Sequence, residues 1–250
     1  MESTGTAYRK HQGVSGEFDA IVIGSGMGGL SVASLLAQEG KRILLLEQNN
    51  VVGGMTQAYT RSGYRWTVGM HYIGEVGSTK GTGWKLFNRA TAGRIEWSAL
   101  PAIFNRMVIG DRAYDIPAGI EAYGDFLKAH FPEESVAIDA YLTLIGKVAK
   151  SSGPYFAQKA LPQKTAEKIY DAYCAEFHQY SRELTIDALR KLTKNEELIA
   201  VLCANWGDYS LEPSKSAFAM HCMLAKHYLN GAHYPVGGRQ RLCQGDGAHH

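Results

Sequence analysis

The stretch Gly24-Ser25-Gly26-Met27-Gly28-Gly29 has the glycine spacing GxGxxG, which suits the binding of a dinucleotide. Gly24 permits a tight turn, Gly26 lets the backbone approach a pyrophosphate, and Gly29 lets a helix pack closely on a strand. The N–H groups at the start of that helix would bind the phosphates. Because the motif alone is weakly specific, a glycine-rich turn in an α/β protein without a nucleotide is the alternative.

Glu47 lies 23 residues beyond Gly24 and supplies the next group with a chemical role. Its carboxylate can accept hydrogen bonds from the ribose hydroxyls of an adenosine, and it would repel the 2′-phosphate of NADP. It does not distinguish NAD from FAD. The following pair Gly53-Gly54 indicates either a second close approach of the backbone to the dinucleotide or an ordinary turn. The predicted cofactor-binding residues are Gly24, Ser25, Gly26, Met27, Gly28, Gly29, Glu47, Gln48, Gly53, Gly54 and Met55.

The elements that must position these residues form a βαβ unit. Residues 19–24 are a short apolar run suited to a strand buried on both faces, residues 29–40 have apolar side chains at helical spacing, and residues 41–47 resemble a second buried strand. This order indicates an α/β fold with a parallel sheet. Residues 20–37 are interpreted neither as a signal sequence nor as a membrane span, because acidic residues precede them and four glycines interrupt them.

Composition narrows the classes of function. The net charge of +2 and the lack of a Lys/Arg-rich run argue against nucleic-acid binding. The four cysteines have no CxxC spacing, so we expect neither a disulfide framework nor a zinc site, and the predicted location is the reducing cytoplasm. With 45% hydrophobic residues, a chain of 250 residues can bury a large core.

Residues 19–59 resemble the N-terminal FAD fingerprint and glycine doublet of flavin amine-oxidase-type enzymes. More specifically, YRWTVGMHYIGEV at 64–76, NWGDYSLEPSKSAF at 205–218 and HYLNGAHYPVGG at 227–238 resemble the group of phytoene desaturases, carotenoid isomerases and retinol saturases. The resemblance covers residues 17–238. It implies FAD as the cofactor and a Rossmann-type FAD-binding domain into which a mainly helical substrate domain is inserted.

The chain follows this plan in its order of segments. The segments are a mobile N-terminal tail (1–16), a first FAD-binding segment (17–76), a hairpin and partial helical substrate domain (77–230), a return strand and turn (231–238) and an aberrant tail (239–250). Members of the resembling family continue well beyond YPVGG, so the fold is expected to be incomplete at its C-terminus. A frameshift after residue 238 would explain why the last twelve residues have neither helical nor strand periodicity.

Within the predicted substrate domain, residues 107–119 alternate like a hairpin with Gly110-Asp111 at its turn, and residues 117–230 are largely helical. Asn195 is predicted to cap a helix, Pro213 to begin the next helix and Gly231 to end it. Residues 151–155 are predicted to separate two helices. One apolar stripe at helical spacing comprises Ala166, Ile169, Tyr170, Tyr173, Phe177 and Tyr180.

Few residues are candidates for chemistry beyond that of a flavin. His71 is the best candidate for a polar group near the flavin ring, and a histidine hydrogen-bonded within a packed turn is the alternative. Cys174 and His178 are spaced for half of a metal site, but no further ligands are evident, so we expect a packed helix face and no metal. The aromatic residues that could line an apolar tunnel, or else belong to the core, are Trp84, Phe87, Tyr155, Phe156, Trp206, Tyr209 and Phe218.

The residues and the resemblance together predict a truncated FAD-dependent oxidoreductase that reduces, desaturates or isomerises carbon–carbon double bonds in an apolar isoprenoid or polyene. A non-catalytic fragment that binds nucleotide or lipid is one alternative, and an NAD-linked dehydrogenase is another. Residues 141–194 contain nine basic and five acidic residues interleaved with aromatic ones. This pattern predicts peripheral contact with an anionic membrane, and a solvated helix face is the alternative.

Overall fold

The computed structural model describes residues 13–238, and the chain divides into two compact units. Among the described residues, the first unit comprises 13–99 and 233–238, and the second comprises 100–232. The expected N-terminal tail lies mostly outside the described residues, and the expected aberrant tail lies entirely outside them. The domain boundaries expected near residues 76 and 230 stay predictions.

The first unit begins with the predicted βαβ arrangement. Strand β1 (Ala20–Ile23) leads through the glycine turn into helix α1 (Met27–Gln38), and strand β2 (Ile43–Leu46) returns parallel to β1. The prediction that these strands are buried on both faces is wrong. Ile21 and Ile23 are 60% and 85% exposed, because no described element covers the face of the two-stranded sheet to which they point.

The remainder of the first unit consists of short elements. Strands β3 (Ala58–Arg61) and β4 (Tyr64–Thr67) form an antiparallel hairpin, helix α2 (Thr82–Ala90) packs against α1, and strand β5 (Trp97–Ala99) follows. Strand β4 is the first part of the sequence motif at residues 64–76, and it forms one of the two strands of this hairpin.

The second unit combines a hairpin with a helical bundle. Strands β6 (Ile103–Ile109) and β7 (Arg112–Pro117) are antiparallel and meet at the predicted Gly110-Asp111 turn. The helices that follow are α3 (Ile120–His130), α4 (Ser135–Gln158), α5 (Gln163–Tyr173), α6 (Ala175–Ser181), α7 (Thr185–Leu192), α8 (Glu196–Leu202) and α9 (Phe218–Tyr228). The core surrounds α4, and its fully buried side chains include Tyr141 and Phe218. Among residues 13–238, no helix has both the length and the apolar character needed to cross a bilayer.

After α9 the chain returns to the first unit, and the domain assignment of residues 231–238 stays a prediction. Gly231 has a φ of +88°, a left-handed conformation that favours glycine, and lies just beyond α9. Strand β8 (His233–Pro235) pairs antiparallel with β5, and His233 also forms backbone hydrogen bonds with Ile73.

The predicted break at residues 151–155 is wrong, because α4 runs through them with Pro154 in its interior. Packing on both sides holds this part of the helix. Val148 lies in the core before the proline, and after it the Tyr155 ring lies 4.6 Å from the Phe177 ring, centroid to centroid. Tertiary contacts therefore override the local preference of proline for a helix end.

Two further local predictions are wrong. Pro213 does not begin a helix, since α9 begins at Phe218; Ser216 instead accepts a 2.9 Å hydrogen bond from the backbone N–H of Thr185, which holds the chain before α9 out of a helix. The single apolar stripe is divided between α5 and α6, which meet at Cys174. As a result Phe177 is buried while Tyr173 is 66% exposed.

Candidate functional site

The glycine turn between β1 and α1 brings backbone into close contact at two of its glycines. Gly24 has a φ of +94°, which an L side chain rarely adopts, and its N–H donates a 2.7 Å hydrogen bond to the carbonyl oxygen of Leu46. A Cβ added at Gly29 would overlap the carbonyl oxygen of Gly24 and would lie 3.4 Å from Cγ1 of Val22. The close approach of helix to strand predicted at Gly29 is therefore present.

Gly26 differs from these two glycines, because space is open beside it. It is the N-cap of α1 with φ −63° and ψ 174°, and a Cβ built on it would meet no atom within 4 Å. No side chain caps the N-terminus of α1. The first N–H groups of the helix and its positive dipole end are thus available to an anion beside Gly26. Gly28, two residues further along the turn, is exposed.

The carboxylate of Glu47 is held by the glycine turn. Its Oε2 accepts a hydrogen bond from the Ser25 hydroxyl and another, 2.8 Å long, from the Ser25 N–H, while its Oε1 accepts one of 2.8 Å from the N–H of Asn49. These bonds, with that of the Ser25 hydroxyl the largest cause, lower the pKa of Glu47 to about 2. Glu47 is therefore ionised at neutral pH and remains able to accept a further hydrogen bond at Oε1.

Ser25 also connects the turn to the glycine doublet. Its side chain is fully buried, and the N–H of Gly53 donates to its carbonyl oxygen at 3.0 Å and to its hydroxyl oxygen at 3.1 Å. A Cβ on Gly54 would lie 3.1 Å from the Cα of Gly26. The doublet thus makes its close approach to the glycine turn itself, and the two segments form one continuous backbone surface. Sequence reasoning named Ser25 but gave no sign of its bonds to Glu47 and Gly53, because these depend on contacts distant in sequence.

The remaining predicted residues lie at the edge of this surface. Met55 is 68% exposed, and Gln48 is exposed as well. His71 is also exposed, and its Nδ1 forms a 3.3 Å hydrogen bond with Oγ1 of Thr67. The assignment of all these residues to cofactor binding stays a prediction.

The aromatic residues that could line a tunnel or else belong to the core lie in different environments. Phe218 is fully buried in the core of the second unit, and Tyr155 packs on Phe177. Phe156 and Trp206 are exposed, whereas Tyr209 lines a cavity together with residues that the sequence did not single out. The amphipathic pattern of a helix shows which side chains face inward but not whether they pack in the core or line a cavity. The sequence therefore could not assign these aromatic residues to one or the other.

The metal half-site was interpreted as a packed helix face. Cys174 is fully buried at the junction of α5 and α6, and the His178 ring packs against the rings of Tyr155 and Tyr170. Within the described part of the chain, no three His, Cys, Asp or Glu side chains are grouped so that they could hold a metal ion.

Comparison with known proteins agrees with the βαβ geometry around the glycine turn. Residues 22–90 match the family model of the NAD(P)-binding Rossmann-like domain. The all-trans-retinol 13,14-reductase of Danio rerio is 37% identical over 235 residues, and the chloroplastic prolycopene isomerase of Daucus carota is 30% identical over 252 residues. These matches cover 91% and 90% of this chain. This chain is similar in sequence to a retinol reductase and a prolycopene isomerase. The resemblance inferred from the sequence is thereby confirmed.

The chain spans only 39% of the length of the retinol reductase and 38% of that of the prolycopene isomerase. Among solved structures, the cyclohexylamine oxidase of Brevibacterium oxydans superposes with a TM-score of 0.55 at 15% identity, over 91% of this chain and 49% of the oxidase. At that identity the likeness shows the fold alone. The predicted α/β fold with a Rossmann-type βαβ unit and a mainly helical second part is confirmed.

Proposed function

We propose that this chain provides the FAD-binding turn and part of the substrate domain of an oxidoreductase that acts on carbon–carbon double bonds of an apolar isoprenoid or polyene. The observation that carries the proposal is the open space beside Gly26, bordered by the uncapped start of α1 and the ionised carboxylate of Glu47. The names of the relatives, a retinol reductase and a prolycopene isomerase, support the substrate class.

The residues of the turn fit a dinucleotide in three respects. The N–H groups at the start of α1 would bind the pyrophosphate, Gly26 leaves room for it, and Oε1 of Glu47 would accept a hydrogen bond from a ribose hydroxyl. Ser25 would keep that carboxylate ionised and oriented. A bound flavin would supply the hydride chemistry, and the tasks of the protein are to bind, to orient and to exclude water.

A substitution at Gly26 tests the cofactor. Val at this position is compatible with φ −63° and ψ 174° and meets open space in the protein, so Gly26→Val should fold normally but block the approach of a pyrophosphate. Gly146→Val is the matched control, because Gly146 also has no atom within 4 Å of its added Cβ and lies exposed in α4, outside the predicted cofactor-binding residues. The measurement is flavin absorption near about 450 nm after incubation with FAD and removal of free cofactor.

We expect the unsubstituted chain and Gly146→Val to retain flavin, and Gly26→Val to retain none while its far-UV circular dichroism is unchanged. Retention of FAD by folded Gly26→Val would refute the assignment of the site. NAD binding in place of FAD would favour a dehydrogenase instead.

A second candidate function is a non-catalytic chain that binds nucleotide or lipid. It is favoured by the exposure of Ile21 and Ile23 on the two-stranded parallel sheet. If FAD binds but reduced flavin is not reoxidised by a polyene under anaerobic conditions, the chain is a binding fragment. Reoxidation with a matching loss of one polyene double bond would establish catalysis.

Peripheral membrane contact is also part of the proposal, together with a cytoplasmic location. The end of α4 and the following α5 expose apolar side chains beside lysines: Phe156, Leu161, Tyr170, Tyr173, Lys150, Lys159, Lys164 and Lys168. Such a surface suits an anionic bilayer. Co-sedimentation with phosphatidylserine vesicles at low salt tests it, and a chain that stays in the supernatant contradicts it.

A further inference from the structure

Close backbone contacts join the glycine turn to residues 69–77. A Cβ added at Gly54 would lie 3.1 Å from the Cα of Gly26, so the glycine doublet packs directly on the turn. The N–H of Gly69 donates a 3.0 Å hydrogen bond to the carbonyl oxygen of Met55, the residue after the doublet. A Cβ added at Gly69 would lie 2.7 Å from Cε of Met55. The turn, the doublet and the start of residues 69–77 are therefore packed in series.

His233 of β8 contacts the other end of residues 69–77. Its backbone exchanges two hydrogen bonds with Ile73, of 2.8 and 2.9 Å, and on its other edge it pairs with Ala99 of β5. Its ring lies on Gly77, where an added Cβ would overlap Nε2 and Cε1 of the ring. Gly77 does not have a left-handed φ, so this contact, and not the backbone conformation, requires glycine there.

The ring of His233 acts through its shape. Its Nδ1 is buried and has no hydrogen-bond partner within residues 13–238, and burial lowers the pKa of His233, so the ring is neutral at neutral pH. No hydrogen bond at Nδ1 holds the ring, which leaves its packing on Gly77 as the contact that fixes its position. Because the backbone of His233 is paired on both edges, a side chain larger than glycine at position 77 must displace either the ring or residues 69–77.

We propose that His233 is a positioning residue for the nucleotide site. Its ring on Gly77 fixes the position of residues 69–77, and these in turn fix the doublet against the glycine turn. The use of this surface for FAD rests on the proposed function, whereas the coupling of His233 to the doublet follows from the contacts. His233 would act through the doublet and not by contact with the cofactor.

The N–H of Gly53 reports the position of the doublet without any cofactor, because it donates to the carbonyl and hydroxyl oxygens of the buried Ser25. Its hydrogen exchange is measured by NMR in the 250-residue chain. The N–H of Gly24, which donates to the carbonyl oxygen of Leu46 within the βαβ unit, is the internal reference. A loss of overall stability would speed the exchange of both amides, whereas displacement of the doublet would speed only that of Gly53.

His233→Ala and Gly77→Ala should each speed the exchange of the Gly53 amide about two- to thirtyfold and leave that of Gly24 unchanged. Combining the two substitutions removes the overlap, because the methyl group introduced by Gly77→Ala then occupies space that the ring has left. The double variant should therefore exchange more slowly at Gly53 than Gly77→Ala alone.

Gly81→Ala is the matched control. Gly81, the N-cap of α2, has a φ of −64° and so likewise has no left-handed backbone. Its added Cβ would overlap the carbonyl oxygen of Glu75 and not His233. His233→Ala should thus reverse the effect of Gly77→Ala but not that of Gly81→Ala.

Several outcomes would overturn the positioning role. Unchanged Gly53 exchange in either His233→Ala or Gly77→Ala would do so, as would an equal increase for Gly24. Rescue of the control by His233→Ala to the same extent would show a general loosening and would also overturn it. Should His233→Ala fail to fold, Gly77→Ala by itself decides the question through the same two amides.

FAD binding separates this role from the proposed function. If the unsubstituted chain binds FAD, His233→Ala should weaken that affinity, and unchanged affinity despite faster Gly53 exchange would overturn the role of His233 in cofactor binding. If the unsubstituted chain binds no FAD, the proposed function fails. The exchange of the Gly53 amide would then still decide whether His233 positions the doublet.

Discussion

The packing of the glycine turn can be tested with two neighbouring substitutions, Gly29→Ala and Gly28→Ala. Both positions lie in the first turn of α1, so both changes replace glycine by the best helix former. Their surroundings differ. A Cβ at Gly29 would lie far inside 3.0 Å of the carbonyl oxygen of Gly24 and 3.1 Å from its carbonyl carbon, whereas a Cβ at Gly28 would meet no atom within 4 Å.

The expected magnitudes follow from these distances. In Gly29→Ala the added methyl group would overlap backbone atoms of Gly24. Because no side-chain rotation can relieve that contact, β1 and α1 must move apart. Overpacking of this kind costs about 1–3 kcal/mol and occasionally more, while the helix preference of alanine returns about 1 kcal/mol. We expect Gly29→Ala to lower the free energy of unfolding by about 2 kcal/mol. Gly28→Ala should raise it by about 0.5–1 kcal/mol.

Urea denaturation followed by far-UV circular dichroism measures both values. Relative to the unsubstituted chain, the midpoint urea concentration should be lower for Gly29→Ala and higher for Gly28→Ala. Equal midpoints for the two variants would show that the helix does not approach the strand as closely as the structure indicates. A stabilised Gly29→Ala would refute the reasoning outright.

Three further predictions concern single side chains. Ser25→Ala removes the largest cause of the low pKa of Glu47, so that pKa should rise from about 2 towards 4.5. The hydrogen bonds of the carboxylate would then be lost at a higher pH than in the unsubstituted chain. Carboxyl ¹³C shifts during a pH titration measure this pKa, and an unchanged value contradicts the prediction. His221 is neutral in the fold with a pKa of about 4, so stability is full above 6.5 and should fall by up to roughly 3 kcal/mol as the pH drops towards 4. His221→Gln should flatten that dependence in urea titrations at several pH values, and equal slopes would count against it. Asn195 accepts hydrogen bonds from the N–H groups of Glu197 and Leu198, so Asn195→Ala should lower the free energy of unfolding by about 1 kcal/mol while Asn195→Ser retains it, and no loss in the alanine variant would argue against the cap.

Features that depend on residues close in sequence could be predicted. The βαβ unit follows from an apolar run, a glycine turn and a helical pattern in succession, and its parallel strands are present at 20–23 and 43–46. The hairpin turn at Gly110-Asp111 and the cap at Asn195 are likewise local, because turn geometry and capping depend on a few adjacent residues. The family resemblance also lies in continuous motifs, which comparison with the reductase and isomerase confirms.

Features that depend on contacts between distant residues were decided only by the tertiary structure. Pro154 lies inside α4 rather than between helices, because core packing outweighs its local preference. The serine of the glycine motif connects Glu47 to Gly53 across 22 and 28 residues of sequence, which no periodicity records. The hydrogen bond between the hydroxyl of Tyr141 and Nε2 of His221 joins residues 80 apart in sequence, and it exists only once the core is assembled.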